Sequence, residues 1–119
     1  MSDAPKTYSQ PLRLAIPSLG PKATDDLDPR FGRCRWMLLH SPQDGAWEAV
    51  ERDPDAMDSG AGRAAANLLS ARGVTALLAG KVGPKAAAAL KEAGIEVQED
   101  LQGSCQDVVA SWLASRAGA

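Results

Sequence analysis

Val74-Thr75-Ala76-Leu77-Leu78-Ala79, followed at once by Gly80-Lys81-Val82-Gly83-Pro84, is the stretch that decides how this chain folds. An unbroken, largely apolar run of that length reads as a central strand covered on both faces, the setting of a parallel sheet with helices on either side. Pro84 suits the first position of a helix, because its φ is preset and its missing N–H would be unpaired there anyway. Gly94 suits the end of the same helix, where a left-handed residue closes the last turn. A strand feeding straight into a helix is half of a crossover unit, so an α/β class follows from this segment.

Working outward, Ala61, Ala64, Ala65, Leu68 and Leu69 form an apolar stripe at helical spacing that ends near Gly73. Ile95 to Val97 reads as a short edge strand. Ser104-x-x-Asp107 reads as the capped start of a third helix with Cys105, Val108, Val109, Trp112 and Leu113 on one face. Toward the N-terminus, Leu12, Leu14 and Ile16 alternate with Arg13 and Ala15, a first strand that Pro17 is expected to end. Arg35 to His40 and Trp47 to Arg52 flank Ser41-Pro42-Gln43-Asp44-Gly45-Ala46, whose Asp-Gly step predicts a hairpin. The stretch from Ser18 to Arg33, rich in Gly, Pro and Asp, reads as a long loop. The order β-β-β-α-β-α-β-α predicts a five-stranded mixed sheet with helices on its faces. The expected organisation is one domain over 12–119 behind a flexible arm, 1–11.

A chain of 119 residues, 45% apolar and 24% charged, is long enough to bury a core without staples. A formal net charge of −2 offers no basic field for nucleic acid, so any anion site has to be local. The polar, proline-bearing N-terminus has no secretory apolar core, and no apolar window is long enough to span a bilayer; a cytoplasmic monomer is expected. Cys34 and Cys105 stand too far apart in sequence for a zinc-type pair and read as free thiols.

Strand direction then places the function. Antiparallel pairing of strands one, two and three, with right-handed crossovers to strands four and five, sends four strands the same way. All three helix starts then share the carboxyl edge of the sheet, where open α/β sheets bind ligands. Those starts are Ser59-Gly60-Ala61-Gly62, Gly80-Lys81-Val82-Gly83 and Gly103-Ser104. The long loop brings Lys22, Arg30, Phe31, Gly32 and Arg33 to the same edge. Glycine admits a ligand close to the backbone, and unpaired amides at a helix start favour anions. The candidate cofactor-binding set is Lys22, Arg30, Phe31, Gly32, Arg33, Met57, Gly60, Ala61, Gly62, Lys81 and Gly83. Three helix ends and two or three basic side chains supply about 3 kcal/mol in all, whereas micromolar binding needs about 8. Apolar contact from Phe31, Met57 or Leu19, or direct metal ligation, is needed for the rest.

Other chemistry is poorly supported. Gly60-x-Gly62-x-x-Ala65 matches a dinucleotide fingerprint in form only, because it follows a hairpin strand and a turn; a nucleotide-responsive regulatory module stays open as the alternative. Lys85 is followed by alanine, so there is no phosphate loop. His40 lies at a hairpin on the opposite edge without an acid-base partner and reads as a surface or turn histidine. Asp25, Asp26 and Asp28 read as a solvated acidic loop. Met37 and Cys105 read as core and the three tryptophans as packing. Cys34, between Arg33 and Arg35, is expected to have a lowered pKa and is the one candidate metal ligand.

Several short segments taken in order resemble the dinitrogenase iron-molybdenum cofactor biosynthesis family: Leu12 to Pro17, Asp28-Pro29-Arg30-Phe31-Gly32-Arg33, Gly60-Ala61-Gly62, Leu78-Ala79-Gly80-Lys81-Val82-Gly83-Pro84 and Ala93-Gly94-Ile95. The resemblance implies a ribonuclease H-like α/β domain that carries metal-sulfur clusters or their precursors and is not an enzyme. Many members have histidine where Arg30 stands and another near Met57 and Asp58. Loss of both, in a single domain, resembles a branch that holds a molybdenum-copper sulfide cluster of the thiomolybdate type without covalent cysteine attachment. An iron-molybdenum cofactor precursor is the alternative cargo. The resemblance also implies ATPases of the Mrp/MinD type as partners.

Overall fold

In the computed structural model, which describes residues 11–53 and 60–117, a five-stranded sheet lies between two helical layers. The chain runs β1 (Leu14–Ser18), a 3-10 turn (Phe31–Arg33), β2 (Trp36–Ser41), β3 (Ala46–Glu51), α1 (Ala61–Ala71), β4 (Ala76–Leu78), α2 (Pro84–Glu92), β5 (Glu96–Gln98) and α3 (Cys105–Ala117). The strands lie in the order β3-β2-β1-β4-β5, and only β2 runs against its neighbours. The mixed α/β sheet read from the sequence is therefore the one observed. No helix among the described residues is long and apolar enough to cross a membrane.

The pleat of the strands sorts the core into two layers, because successive side chains point to opposite faces. Ala15, Met37, Leu39 and Leu77 face α1 and α2 and pack with Ala65, Leu69, Ala86 and Leu90. Leu14, Ile16, Leu38, Ala76 and Leu78 face α3 and pack with Cys105, Val108, Val109 and Trp112. Each fully buried leucine contributes about 1.5–3 kcal/mol relative to exposure.

Three expectations are corrected. β1 does not stop at Pro17 but passes through it to Ser18. Proline is tolerated there because β4 pairs with β1 only at Leu14 and Ala15, and the segment that follows alongside donates the Asp28 amide to the Pro17 carbonyl without needing a donor in return. His40 is not a surface residue: it is 8% exposed, its ring centroid lies 4.2 Å from that of Trp47, and Nδ1 is 3.0 Å from the Ala46 carbonyl. Burial holds its pKa below the ordinary value. Asp28 is not solvated; it is buried, and its Oδ1 accepts the Arg30 amide at 2.9 Å.

The long loop is also more ordered than its composition suggests. Its backbone is bonded at Leu19 to Asp26, Leu27 to Gly103 and Asp28 to Pro17, at 2.8–2.9 Å. Leu27 is buried on the α3 side and Phe31 on the α1/α2 side, so the segment between them passes over the carboxyl edge of the sheet. The Lys81 amide donates to the Pro29 carbonyl at 3.1 Å as it crosses. Gly80 makes the crossing possible, since a Cβ there would lie 2.9 Å from Pro29 Cα.

Candidate functional site

Where the 3-10 turn meets the starts of α1 and α2, a cleft of about 430 Å³ opens, lined largely by glycine and alanine. Phe31, Gly32 and Arg33 form one side, Ala61 and Gly62 the second, and Gly83 to Ala86 the third. Both helices reach the cleft by their N-termini because β3 and β4, which precede them, point toward this edge. The amides of Ala61, Gly62 and Arg63 donate to nothing among the described residues, and neither do those of Gly83, Lys85 and Ala86. Pro84 occupies the first position of α2, so no donor is wasted there. Two helix starts with unpaired amides give the cleft positive potential.

Side chains add to that potential. Lys85 lines the cleft, and with Arg63 and Gly60 it also lines an adjoining hollow of about 520 Å³ between α1 and α2. Neither Arg63 nor Lys85 has a carboxylate partner among the described residues. Arg52, one residue beyond β3, reaches under the wall. Its Nη1 donates to the carbonyls of Gly32 at 3.2 Å and Cys34 at 2.9 Å, and its Nη2 to that of Ala61 at 3.5 Å. Arg52, Arg63 and Lys85 were missed in the sequence. The available signal was positional, since all three follow a strand that points at the ligand edge.

The structure does not bring the whole predicted set together. Phe31, Gly32, Arg33, Ala61, Gly62 and Gly83 line the cleft. Lys81 lines a separate hollow of about 760 Å³ on the α3 side, where its Nζ lies 2.7 Å from Asp100, which raises its pKa. Arg30 is turned to Asp28, with Nε 3.3 Å from Oδ1. Lys22 sits by α3, its amide donating to Asp25 Oδ2 at 2.8 Å. Met57 lies outside the described residues.

The expectation of three open helix starts is corrected to two. The amides of Cys105 and Gln106 donate to the carbonyls of Asp25 and Ala23 at 2.9 and 2.8 Å, and that of Asp107 to Ser104 Oγ at 3.2 Å. The loop caps α3 with its own main chain, leaving that start no donors for a ligand.

The glycines divide by cause. A Cβ at Gly32 would lie 3.0 Å from Gly62 Cα, so packing of the turn on α1 main chain already requires glycine there, whereas one at Gly62 would lie 3.1 Å from Ala86 Cβ, a tight contact between the two helices. A Cβ at Gly83 would meet nothing within 4 Å. Gly83 is therefore the wall position whose openness the fold itself does not require.

Cys34 is corrected as well. It is fully buried, and burial pushes its thiol up to about 11, against the opposing influence of Arg52, whose Nη1 lies 3.4 Å from Sγ. The flanking Arg33 and Arg35 do not set its chemistry. Cys105 is buried too, and its pKa is raised for the same reason. Among the described residues, no group of three or more His, Cys, Asp or Glu side chains is arranged to hold a metal ion. The residues present suit an anion held by amides and cations.

The family model described as dinitrogenase iron-molybdenum cofactor matches residues 12–115. The apo form of the orange protein from Desulfovibrio gigas is 37% identical, with a TM-score of 0.83 over 87% of this chain and 88% of that one. A putative NifB protein from Thermotoga is 30% identical, with a TM-score of 0.76 over 88% and 90% of the two chains. No curated protein matches.

Proposed function

Since the chain belongs to the dinitrogenase iron-molybdenum cofactor family, we infer that it is a non-catalytic carrier of an anionic metal-sulfide cluster, bound in the cleft between the 3-10 turn, α1 and α2. The cargo is a molybdenum-copper sulfide of the thiomolybdate type, and it is held mainly without covalent attachment. The observation that supports this reading is the meeting of two open helix starts with Lys85 in the cleft and Arg63 in the adjoining hollow, neither of which has a carboxylate partner among the described residues.

The energetics favour a polyanion. Each helix end and each exposed cation contributes about 0.3–1 kcal/mol per negative charge, which leaves a single carboxylate weakly bound. Coulomb attraction scales with ligand charge, so a cluster carrying several negative charges gains what a monoanion does not. Phe31 is 2% exposed and supports the wall from beneath, so it offers little apolar surface to the cargo. A site built from amides and cations also releases its cargo without breaking a thiolate bond, which suits a carrier. Exchange with an Mrp/MinD-type ATPase in the cytoplasm belongs to the same reading. So does a contribution of Arg30, Lys22 or Lys81 to guiding the cluster in, since each lies at or beside this edge.

The test is anaerobic loading of apo-protein with tetrathiomolybdate and copper(I), followed by desalting and metal analysis. Molybdenum and copper travelling with the protein in fixed ratio are expected. A metal-free, colourless protein fraction overturns the reading. Parallel titrations with an iron-molybdenum sulfide mixture and with ATP, followed by amide shifts, distinguish the precursor-carrier and nucleotide-responsive alternatives.

A further inference from the structure

We propose that Arg52 is the residue that makes the cleft selective for anions, by tying its two walls together through their carbonyls and fixing a positive charge beneath them. The inference rests on the cleft being the cargo site. Small residues leave the main chain of a wall accessible, and a carbonyl oxygen free to turn toward a bound anion repels it. Two residues that line the cleft, Gly32 and Ala61, have their carbonyls engaged by the Arg52 guanidinium at 3.2 and 3.5 Å, and the Cys34 carbonyl joins them at 2.9 Å. Those acceptors come from the 3-10 turn and its C-cap on one side and from α1 on the other, so a single planar group ties the two walls together. The fork geometry of guanidinium matters here, since an ammonium cannot reach carbonyls on both walls at once from one stem.

The charge itself is left over. No carboxylate pairs with Arg52 among the described residues; its partners are three carbonyl dipoles and the Cys34 sulfur at 3.4 Å. Half-buried at the end of β3, it acts on the cleft through protein more than through water, where screening by salt is weaker. Arg52 touches no part of the cleft's open volume, so it is a positioning residue that acts through Gly32 and Ala61.

The experiment compares the parent with Arg52→Lys and Arg52→Met by equilibrium dialysis against tetrathiomolybdate with copper(I), at low and high salt. Arg52→Met is expected to weaken binding at least about tenfold, the size of one lost charge-assisted hydrogen bond, and to flatten the salt dependence. Arg52→Lys is expected to keep the parent's salt dependence while binding less tightly, with amide shifts confined to residues 31–34 and 61–63. Should Arg52→Met fail to fold, the lysine variant decides alone: parent-like affinity overturns the proposal. A folded Arg52→Met variant that binds within twofold of the parent also overturns it and leaves the cleft standing. A parent that binds nothing removes the cleft reading and this inference with it.

Discussion

Replacing Gly32 by alanine tests the architecture of the cleft before any ligand is considered. The added Cβ would lie 3.0 Å from Gly62 Cα, 3.1 Å from Gly62 N and 3.4 Å from the Ala61 carbonyl carbon. All three are main-chain atoms of the first turn of α1, so no side-chain rotation relieves the crowding, and the 3-10 turn has to retreat by several tenths of an ångström. Phe31, 2% exposed, and the Arg52 bond to the Gly32 carbonyl both resist that retreat. Overpacking of this kind costs about 1–3 kcal/mol. For a domain of this size that lowers Tm by roughly 4–12 °C. Gly62→Ala is the control: its Cβ would meet Ala86 alone, at 3.1 Å from Cβ and 4.0 Å from Cα, and the helix gains up to about 1 kcal/mol in propensity, so its net change stays within about 1 kcal/mol. Calorimetric melting of the two variants is the assay. A Gly32→Ala protein that melts within a degree of the parent would show that the turn and α1 do not press together as described.

Three further outcomes are expected. Folding raises the Cys34 pKa from 9.0 to about 11, so the unfolded chain loses the proton first; stability holds below about pH 9 and falls by about 1.4 kcal/mol per pH unit between 9 and 11, a slope that urea melts should find reduced in Cys34→Ala. Folding lowers the His40 pKa, so its contribution to stability is present above the ordinary value of 6.5 and is lost as pH falls below it; thermal melts at pH 7 and pH 5 should differ more for the parent than for His40→Asn. Arg63→Gln with Lys85→Gln should weaken retention of the cluster several-fold, about 0.3–1 kcal/mol per ligand charge for each residue, while Lys81→Gln should have a smaller effect because Asp100 already neutralises it; metal analysis after desalting reads both.

Much of this fold was legible because the decisive signals are local. Val74 to Ala79 with Pro84 and Gly94 places β4 and α2 with no tertiary information, and the direction of the remaining strands follows from the hairpin and from crossover handedness. Pro17 misled because the rule against proline in strands assumes a full ladder on both sides, and beyond the reach of β4 the bond made there is one that Pro17 accepts, from Asp28. The site was legible only as an edge. Gly83 and Phe31 were found because they sit in short motifs at helix starts and loop ends. Arg52 escaped because it looked like the last residue of a hairpin strand, and its partners are carbonyls that no residue type advertises. Cys34 misled because sequence neighbours were taken for spatial ones: Arg33 and Arg35 flank it in the chain, yet burial decides its thiol. The sealing of α3 was legible only in part: the Ser104 cap on the Asp107 amide lies in a local motif, whereas the carbonyls of Asp25 and Ala23 that take the Cys105 and Gln106 amides belong to a loop remote in sequence.

With the cleft as the proposed cargo site, recognition through peptide amides changes what natural variation is free to do. Side chains along Gly83 to Ala86 and Gly60 to Arg63 can be exchanged during divergence without removing a single donor, provided that no bulk intrudes where the backbones converge. Specificity among homologues would then drift through the rim cations, each adjusting which charge and size of cargo is preferred, while the donor array itself is inherited unchanged.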